Sequence, residues 1–452
     1  MTTVGFYGGT GSVTGANFLL DTGKTKLLVD CGLIQGDRFA AAANCDAFGY
    51  NPSEVESLLV THAHADHIGR IPKLVSDGFH GRIISTSATK DLAEVMLADA
   101  YKVMSYESER YGTPRCYETK DINAALRLWN DVDYHEEVSL PDGLSAAFTN
   151  AGHILGSAHI TVARGGKRFV FTGDIGNVPQ PLIDPPEIPT GYDYLLMESV
   201  YGDRQHEEVK ERSELLLEHI KDTQHNNGTL IIPAFSLERT QAMLFEINNF
   251  VEQGTIQEIP VFLDSPLAIS VTELYRRHKA YLKKSVQEQI ERGDDIFSFP
   301  GLTMTRSVED SREIAKVSGA KIIIAGSGMS HGGRILGHEQ RYLEDPKTTL
   351  LLVGYQSVGS LGRLLNDGAK RVKIDGEDVR VRAKVARIRG YSGHADCNQL
   401  VDFVAENAEN VQQVFVTMGE ERSSLFLVQR LHDYLGVAAV APELGDVYSI
   451  DF

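Results

Sequence analysis

Four potential metal ligands directly follow an apolar strand early in the chain. The chain reads Leu-Leu-Val and then Thr-His-Ala-His-Ala-Asp-His at positions 58–67. Because alternate residues of an extended chain point to the same side, His62 and His64 are expected to share one ion. Asp66 and His67 follow where the chain turns into a helix, and they are placed to hold a second ion nearby. This full spacing is uncommon in a solvated loop that is merely rich in histidine, so it predicts a metal centre.

Three more polar residues each end or follow an apolar strand. His153 and Asp174 lie downstream of the histidine-rich segment, and Asp30 lies upstream. His153 would complete a set of three histidines around the first ion, and the carboxylate of Asp174 is suited to bridge both ions. We expect Asp30 to orient one of the ligand histidines rather than to bind metal itself.

The rest of the composition is that of a globular chain. Of 452 residues, 42% are hydrophobic and 23% are charged, and no apolar run reaches the length that a membrane-spanning helix needs. The N-terminus has no basic segment followed by an apolar stretch, so we expect no secretion signal and no membrane association. The cysteines Cys31, Cys45, Cys116 and Cys397 are widely scattered. This scatter argues against a disulfide framework and a zinc ribbon, and it favours a reducing cytoplasm.

The net charge of −18 taken alone argues against a nucleic-acid partner, because phosphate binding needs clustered cations. The charge is unevenly distributed, however. Residues 201–390 contain 27 basic and 27 acidic side chains, so the whole acidic excess lies outside them. A local basic surface on an otherwise acidic protein is therefore compatible with this sequence.

The predicted arrangement of strands and helices changes twice along the chain. The N-terminal part alternates short β-branched strands with turns, and the middle repeats strand–turn–helix units. Such units predict a parallel sheet with helices on its faces. The last sixty residues or so alternate helix and strand again.

The ligand pattern resembles the metallo-β-lactamase superfamily, whose hallmark is H-x-H-x-D-H followed by a lone histidine and a lone aspartate. Here the linear order is Asp30, residues 62–67, His153 and Asp174. The resemblance implies a four-layer αββα sandwich. It also implies a divalent metal, with two Zn2+ ions per chain expected and Mn2+ as the alternative.

Further motifs resemble the β-CASP nucleases of that superfamily, and most closely the cleavage-and-polyadenylation nuclease group. Glu198 lies in Leu-Leu-Met-Glu-Ser-Val-Tyr-Gly-Asp, and His394 lies in Gly-Tyr-Ser-Gly-His-Ala-Asp. The glycine-rich segments 9–15, 326–329 and 354–363 are similar as well. In this family an α/β β-CASP domain is inserted into the lactamase-like domain. The implied division is 1–202 for the first part of the lactamase-like domain, 203–388 for the insertion and 389–452 for the C-terminal return.

The resemblance implies a metal-dependent ribonuclease that acts on single-stranded RNA in the cytoplasm. Hydrolysis would follow a two-metal hydroxide mechanism, with Asp66 and Asp174 holding the nucleophile in line. His394 would be the general acid, oriented by Glu198. Ser392 would bind a substrate phosphate. Internal and 5′-end cleavage both stay open, and relatives that are dimers suggest a homodimer by analogy.

One position departs from the family pattern. The family usually has a histidine in a strand-end His-Gly-Glu motif, where it ligates the second metal, but this chain has Met418. A thioether is a poor ligand for Zn2+ or Mn2+, so Met418 is expected to fill the core. A catalytically weak or inactive RNA-binding relative and a DNA-acting nuclease are therefore the alternatives. A small-molecule hydrolase would not explain Glu198 and the segment around His394.

Basic residues near the end of the middle segment are candidates for RNA binding. The alternating run 379–385 predicts one continuous edge strand, with Arg380, Arg382 and Lys384 on a single face. A solvated edge-strand face is about as good an interpretation as an RNA track. Arg334 and Arg363 lie in glycine-rich loops and are further candidates for phosphate contacts.

Overall fold

The chain begins with strands and helices that build most of two mixed sheets. The computed structural model describes residues 1–36, 40–206, 209–354, 356, 359–388 and 390–452, with residues 209–211 described in backbone only. The first elements are β1 (Thr2–Phe6), β2 (Phe18–Asp21), β3 (Lys26–Val29), α1 (Ala40–Ala43), β4 (Val55–Leu59), α2 (Ala65–Ile68), α3 (Ile71–Ser76), β5 (Arg82–Thr86), α4 (Ser87–Tyr111), α5 (Thr119–Arg127), β6 (Trp129–Val132), β7 (Glu137–Ser139), β8 (Ser145–Asn150), β9 (Ala158–Arg164), β10 (Lys167–Phe171) and β11 (Tyr194–Glu198).

The middle of the chain is a second set of alternating strands and helices. In order these are α6 (Val209–Asn226), β12 (Thr229–Pro233), α7 (Arg239–Glu252), β13 (Val261–Asp264), α8 (Pro266–Arg277), α9 (Lys284–Glu291), β14 (Leu302–Met304), α10 (Val308–Glu313), β15 (Lys321–Ala325), α11 (Arg334–Tyr342), β16 (Thr348–Leu352), α12 (Leu361–Asn366), β17 (Arg371–Ile374), β18 (Glu377–Arg380) and β19 (Lys384–Arg387).

The C-terminal segment returns to the sheets of the first part. It contains α13 (Cys397–Ala405), β20 (Gln413–Thr417), α14 (Glu421–Leu435), β21 (Ala439–Val440) and β22 (Val447–Ile450). β22 pairs with β1, and β20 pairs in parallel with β11. By Cα proximity the chain forms two units: Met1–Val178 with Ile183–Gln205 and His394–Phe452, and Pro179–Leu182 with His206–Gly393. We keep the division at 203 and 389 as a proposal for the domain boundaries, and Arg389 itself lies outside the described residues.

The first unit is a four-layer αββα sandwich, as predicted. Its two seven-stranded sheets run in the orders β22-β1-β2-β3-β4-β5-β6 and β21-β20-β11-β10-β9-β8-β7. Apolar side chains of both sheets share one core, in which Phe6 and Phe415 have ring centres 5.3 Å apart. α4 packs on β5 and β6, whereas α13 and α14 cover the outer face of the second sheet.

The second unit contains the predicted parallel sheet with helices. Six parallel strands run in the order β14-β13-β15-β12-β16-β19, and the residues of the four central strands are buried. β17 and β18 form a separate hairpin. Of the glycine-rich segment 354–363, residues 355, 357 and 358 lie outside the described residues. None of the helices in the described ranges combines the length and apolar character needed to cross a membrane.

The cysteine prediction is wrong for one pair. Cys45 and Cys116 form a disulfide, with Cα atoms 4.7 Å apart. They are separated by 71 residues in sequence, and spacing alone does not reveal that the fold brings the turn after α1 next to the segment before α5. Cys31 and Cys397 are buried free thiols.

Removing this disulfide should destabilise the first unit. A disulfide that closes a loop of this length restricts the unfolded chain, so Cys45→Ser with Cys116→Ser should lower the free energy of unfolding by about 4 kcal/mol. Urea denaturation with and without a dithiol reductant measures the effect. The reductant should destabilise the wild type and leave the double variant unchanged, and a wild type indifferent to the reductant would contradict the pairing.

Candidate active site

Polar residues converge where parallel strands of the two sheets end. Asp30 follows β3, and His62 follows β4, which pairs in parallel with β3. In the second sheet β10, β11 and β20 are parallel neighbours, and Asp174, Glu198 and Met418 lie at or just past their carboxyl ends. Because the carboxyl ends of parallel strands meet at one edge, the sequence places these residues together.

The first cluster consists of His62, His64, His153 and Asp174, whose ligand atoms all lie within 4.8 Å of one another. His62 Nε2 lies 3.3 Å and His153 Nε2 3.4 Å from Asp174 Oδ2. His64 Nδ1 lies 3.1 Å from His62 Nε2 and 3.2 Å from His153 Nε2. Three imidazole nitrogens and one carboxylate oxygen match the donors that Zn2+ prefers.

Burial also shifts the pKa values of two histidines in this cluster. It lowers the pKa of His62 and lowers the pKa of His64 well below the usual histidine range. For His64 the neighbouring charges of His62 and His153 act in the same direction. The neutral imidazole is the form that binds a metal ion, so the site favours the ligand form of both side chains.

A fourth imidazole faces the other oxygen of Asp174. His67 Nε2 lies 3.3 Å from Asp174 Oδ1, and both atoms are buried. Within the described part of the chain neither atom has a hydrogen-bond partner. Buried polar atoms normally have partners, so a cation between these two would satisfy both. Asp66 lies on the same short helix, α2. Burial raises the pKa of its carboxyl group, and the charge of His67 opposes that shift.

Asp30 holds His67 from the other side, and Thr61 links the two halves of the ligand segment. Asp30 Oδ2 lies 2.7 Å from His67 Nδ1, and Asp30 Oδ1 accepts a hydrogen bond from the Thr61 backbone N–H at 2.8 Å. The Thr61 hydroxyl donates to Asp30 Oδ2 at 2.7 Å and lies 3.0 Å from His62 Nδ1. Sequence reasoning assigned no role to Thr61, although its place before the ligand motif was visible.

The loop after β3 keeps the helix that carries Asp66 and His67 in place. Cys31 N–H donates to the His67 carbonyl at 2.7 Å, and Leu33 N–H donates to the Ala65 carbonyl at 2.9 Å. A Cβ atom on Gly32 would lie 1.5 Å from the carbonyl oxygen of Asp66. Only glycine lets the loop approach this closely.

Glu198 and His394 form a second group beside Asp174. His394 Nδ1 lies 3.2 Å from Glu198 Oε1 and 3.8 Å from Asp174 Oδ2. Glu198 is fully buried and also accepts hydrogen bonds from the backbone N–H groups of Ile175 at 2.7 Å and Val200 at 3.2 Å. Burial raises the pKa of Glu198, and the charge of His394 opposes that shift. The ring of His394 lies against the ring of His153, with centres 4.7 Å apart.

Met418 belongs to the core, as predicted. Its side chain is buried in the apolar cluster shared by the two sheets. Its backbone has φ of 47°, and its N–H donates to the Gly9 carbonyl at 2.6 Å. A Cβ atom on Gly9 would lie 2.7 Å from Met418 Sδ, so the glycine makes room for the thioether.

The residues predicted to bind substrate are not brought together in the same way. Arg334 donates to Asp264 Oδ1 at 2.6 Å and to the carbonyl oxygens of Thr305 and Arg306. Arg363 is ion-paired with Asp367, four residues later, at 2.8 Å. Ser392 is buried.

The prediction of one continuous strand over 379–385 is wrong. Arg380 ends β18 of the two-stranded hairpin, whereas Lys384 begins β19 at the edge of the parallel sheet. Arg382 lies between the strands, where its N–H and that of Ala383 both donate to the Leu343 carbonyl. Alternation of side chains encodes which face they occupy but not which sheet they join. All three basic side chains are exposed.

Three family models match the chain in succession. The Metallo-beta-lactamase superfamily model matches residues 13–205, and the Beta-Casp domain model matches 240–365. The model of the Zn-dependent metallo-hydrolase RNA specificity domain matches 378–442. Together they cover most of the chain.

Individual relatives match over nearly the whole length of this chain. It is 37% identical over 421 residues to Ribonuclease TTHA0252 of Thermus thermophilus, covering 93% of this chain and 94% of that protein. It is 29% identical to Transcription termination factor FttA of Methanosarcina mazei, covering 95% of this chain and 69% of that protein. A crystal structure of a protein of unknown function from Enterococcus faecalis has the same fold, with a TM-score of 0.55, 12% identity and 99% of both chains covered.

Weakening the support of His67 should weaken metal binding. Asp30→Asn replaces one of the carboxylate oxygens that hold Thr61 and His67, so metal affinity should fall roughly 10- to 100-fold. Competition with a fluorescent chelator measures this. Asp131→Asn is the matched control, because Asp131 is ion-paired with Lys90 on the surface. Equal affinity in both variants would contradict the role of Asp30.

Replacing Met418 by an apolar side chain should leave the metal content unchanged. Met418→Leu keeps nearly the same volume in the core, so the free energy of unfolding should change by less than about 1.5 kcal/mol. Metal per chain is measured by plasma mass spectrometry after gel filtration. A variant that loses metal while remaining folded would show that the thioether is a ligand.

Proposed function

This chain belongs to the β-CASP branch of the metallo-β-lactamase superfamily, and on that basis we propose that it is a metal-dependent ribonuclease. The observation that carries the proposal is the buried carboxylate of Asp174. One of its oxygens faces His62 and His153, and the other faces His67. A carboxylate with imidazoles beside both of its oxygens supports a centre for two cations, and two-metal centres hydrolyse phosphodiester bonds.

The resident ions we propose are two Zn2+ per chain, with Mn2+ as the alternative. His62, His64, His153 and Asp174 would hold one ion. Asp66, His67 and Asp174 would hold the other, without a ligand from Met418, so we expect the second ion to bind less tightly. When bound, such ions activate water for attack on phosphorus and neutralise charge on the phosphate oxygens.

His394 is the residue we propose to protonate the leaving oxygen. Its Nδ1 faces Glu198 Oε1, which fixes the orientation of the ring. Nε2 is then the atom that would hold the transferred proton. Glu198 is itself fixed by two backbone N–H groups, so the pair is held rigidly. Asp66 and Asp174 would keep the attacking group in line with the leaving oxygen.

Single-stranded RNA is the substrate we propose. The names of the relatives and the RNA specificity model support this, and that model spans the exposed Arg380, Arg382 and Lys384. Contacts between these cations and phosphates would make binding weaken as salt rises. Ser392, Arg334 and Arg363 remain proposed phosphate contacts. A cytoplasmic location and a homodimer stay predictions.

A catalytically weak RNA-binding protein is the second candidate. Met418 favours it, because the second cation position has one ligand fewer than the family usually supplies. The similarity to termination factors is compatible with such a protein. A DNA-acting nuclease is the third candidate, and the experiment below distinguishes it from a ribonuclease.

The metal-loaded protein should cleave labelled single-stranded RNA. His394→Ala should lower kcat roughly 100- to 10,000-fold and keep its metal, because only proton transfer is lost. Asp174→Ala should lose both metal and activity. Products are resolved by gel electrophoresis, which also separates internal from 5′-end cleavage.

His432→Ala is the control for this experiment, since His432 is exposed on α14 and should not affect cleavage. Single-stranded DNA of the same sequence is assayed in parallel. A fully metal-loaded protein that binds RNA without cleaving it would overturn the ribonuclease and support the second candidate. Preferential cleavage of DNA would support the third.

A further inference from the structure

Three buried polar side chains in the second unit are not among the residues given a role in the proposed hydrolysis. Arg212 lies near the start of α6, Glu246 lies within α7, and Tyr391 lies near the end of the unit. Their exposed fractions are 1%, 8% and 2%. A buried arginine and a buried glutamate are uncommon in a core and need an explanation.

These side chains hold one another and the backbone at Gly390. The Tyr391 hydroxyl donates to Glu246 Oε2 at 2.5 Å, and Arg212 Nη1 donates to the Gly390 carbonyl at 2.8 Å. Arg212 Nε lies 3.6 Å from Glu246 Oε1, and the guanidinium carbon lies 5.1 Å from the centre of the Tyr391 ring. Two helices are thereby tied to one short segment of chain.

Stability alone does not account for this arrangement. Removing an ion pair from water costs several kcal/mol, and packed apolar side chains of the same volume often do as well or better. Burial raises the pKa of Glu246, although Arg212 and Tyr391 oppose the shift, so the carboxylate is held at a cost. What a directional polar network provides is one defined arrangement of the groups it joins.

The segment that is held leads directly into the proposed general acid. Gly390 and Tyr391 are followed by Ser392, Gly393 and His394. The glycines at 390 and 393 allow more backbone conformations than other residues would, so without anchoring this stretch would have many alternatives. His394 itself is held within the first unit by Glu198.

We infer that Arg212, Glu246 and Tyr391 are positioning residues that fix the chain leading to Ser392 and His394. The inference rests on the proposed function, in which His394 protonates the leaving oxygen. The network holds the chain at Gly390 and Tyr391, which lie four and three residues before His394. It therefore acts on catalysis through His394 and does not touch the substrate.

Tyr391→Phe tests this with the loss of a single oxygen. We expect kcat to fall roughly 10- to 100-fold, as for a catalytic group displaced by about 1 Å, with KM and metal content unchanged. Tyr342→Phe is the matched control in the same unit, because the described part of the chain offers no hydrogen-bond partner to that hydroxyl. Equal kcat in the wild type and Tyr391→Phe would overturn the inference.

A double-variant cycle shows whether the effect passes through His394. Adding Tyr391→Phe to His394→Ala should cause no further loss, since the group being positioned is already gone. A full additional loss in the double variant would mean that Tyr391 acts elsewhere, and the inference would fail. If Tyr391→Phe does not fold, Glu246→Gln and Glu246→Leu replace it. The glutamine still accepts the tyrosine hydroxyl and should retain most of kcat, whereas the leucine should not.

A readout without RNA separates the inference from the proposed function. The rate at which diethyl pyrocarbonate modifies His394, followed by peptide mass spectrometry, should rise several-fold in Tyr391→Phe and stay unchanged in Tyr342→Phe. An unchanged rate in Tyr391→Phe would overturn the positioning role whether or not RNA is cleaved. A raised rate in a protein that cleaves no RNA would keep the positioning role and reject the ribonuclease.

Discussion

The buried carboxylate of Asp174 is the group on which the arrangement of the first unit depends. An isolated carboxylate in a protein interior is strongly disfavoured, and cations or polar donors must compensate it. Here imidazoles surround it: His62 and His153 on one oxygen, His67 on the other, and His394 slightly farther away. His62 and His67 follow a strand of one sheet, whereas His153 and Asp174 follow strands of the other. The charge is compensated only when both sheets end at a common edge.

This dependence explains why the site could be predicted better than its surroundings. The spacing of His62 to His67 encodes ligands locally, and strand ends placed His153 and Asp174 near them. Of the supporting contacts, the sequence predicted only that of Asp30 with a ligand histidine. The others join distant segments through ordinary residues such as Thr61, which no ligand pattern marks. Alternation at 379–385 failed for a related reason: it gives the face of a strand, but backbone pairing across distant segments decides which sheet a strand joins. The Cys45 and Cys116 pairing likewise depends on tertiary proximity.

The net charge of the whole chain was a poor guide to function because it adds together regions whose charges have different roles. Some of the acidic excess of the first unit lies at the proposed metal centre, in Asp30, Asp66 and Asp174, where bound cations would offset it. The neutral middle segment contains exposed cations such as Lys384 and also a buried ion pair, Arg212 with Glu246. Only the exposed charges matter for phosphate binding, whereas the buried pair matters for backbone geometry. Burial therefore decides what a charge contributes.

Met418 combines a left-handed backbone conformation at a strand end with an apolar side chain that is a poor metal ligand. A side chain other than glycine in the left-handed region costs of order 1 kcal/mol, yet the position is retained, with its N–H bonded to Gly9. The thioether then packs in the core, where its burial compensates the strain. The cluster of His62, His64, His153 and Asp174 forms without any contribution from Met418. Only the proposed cation position at Asp66 and His67 would have one ligand fewer. A methionine where the family usually has a histidine would therefore change metal binding at one of the two proposed positions and leave the fold unchanged.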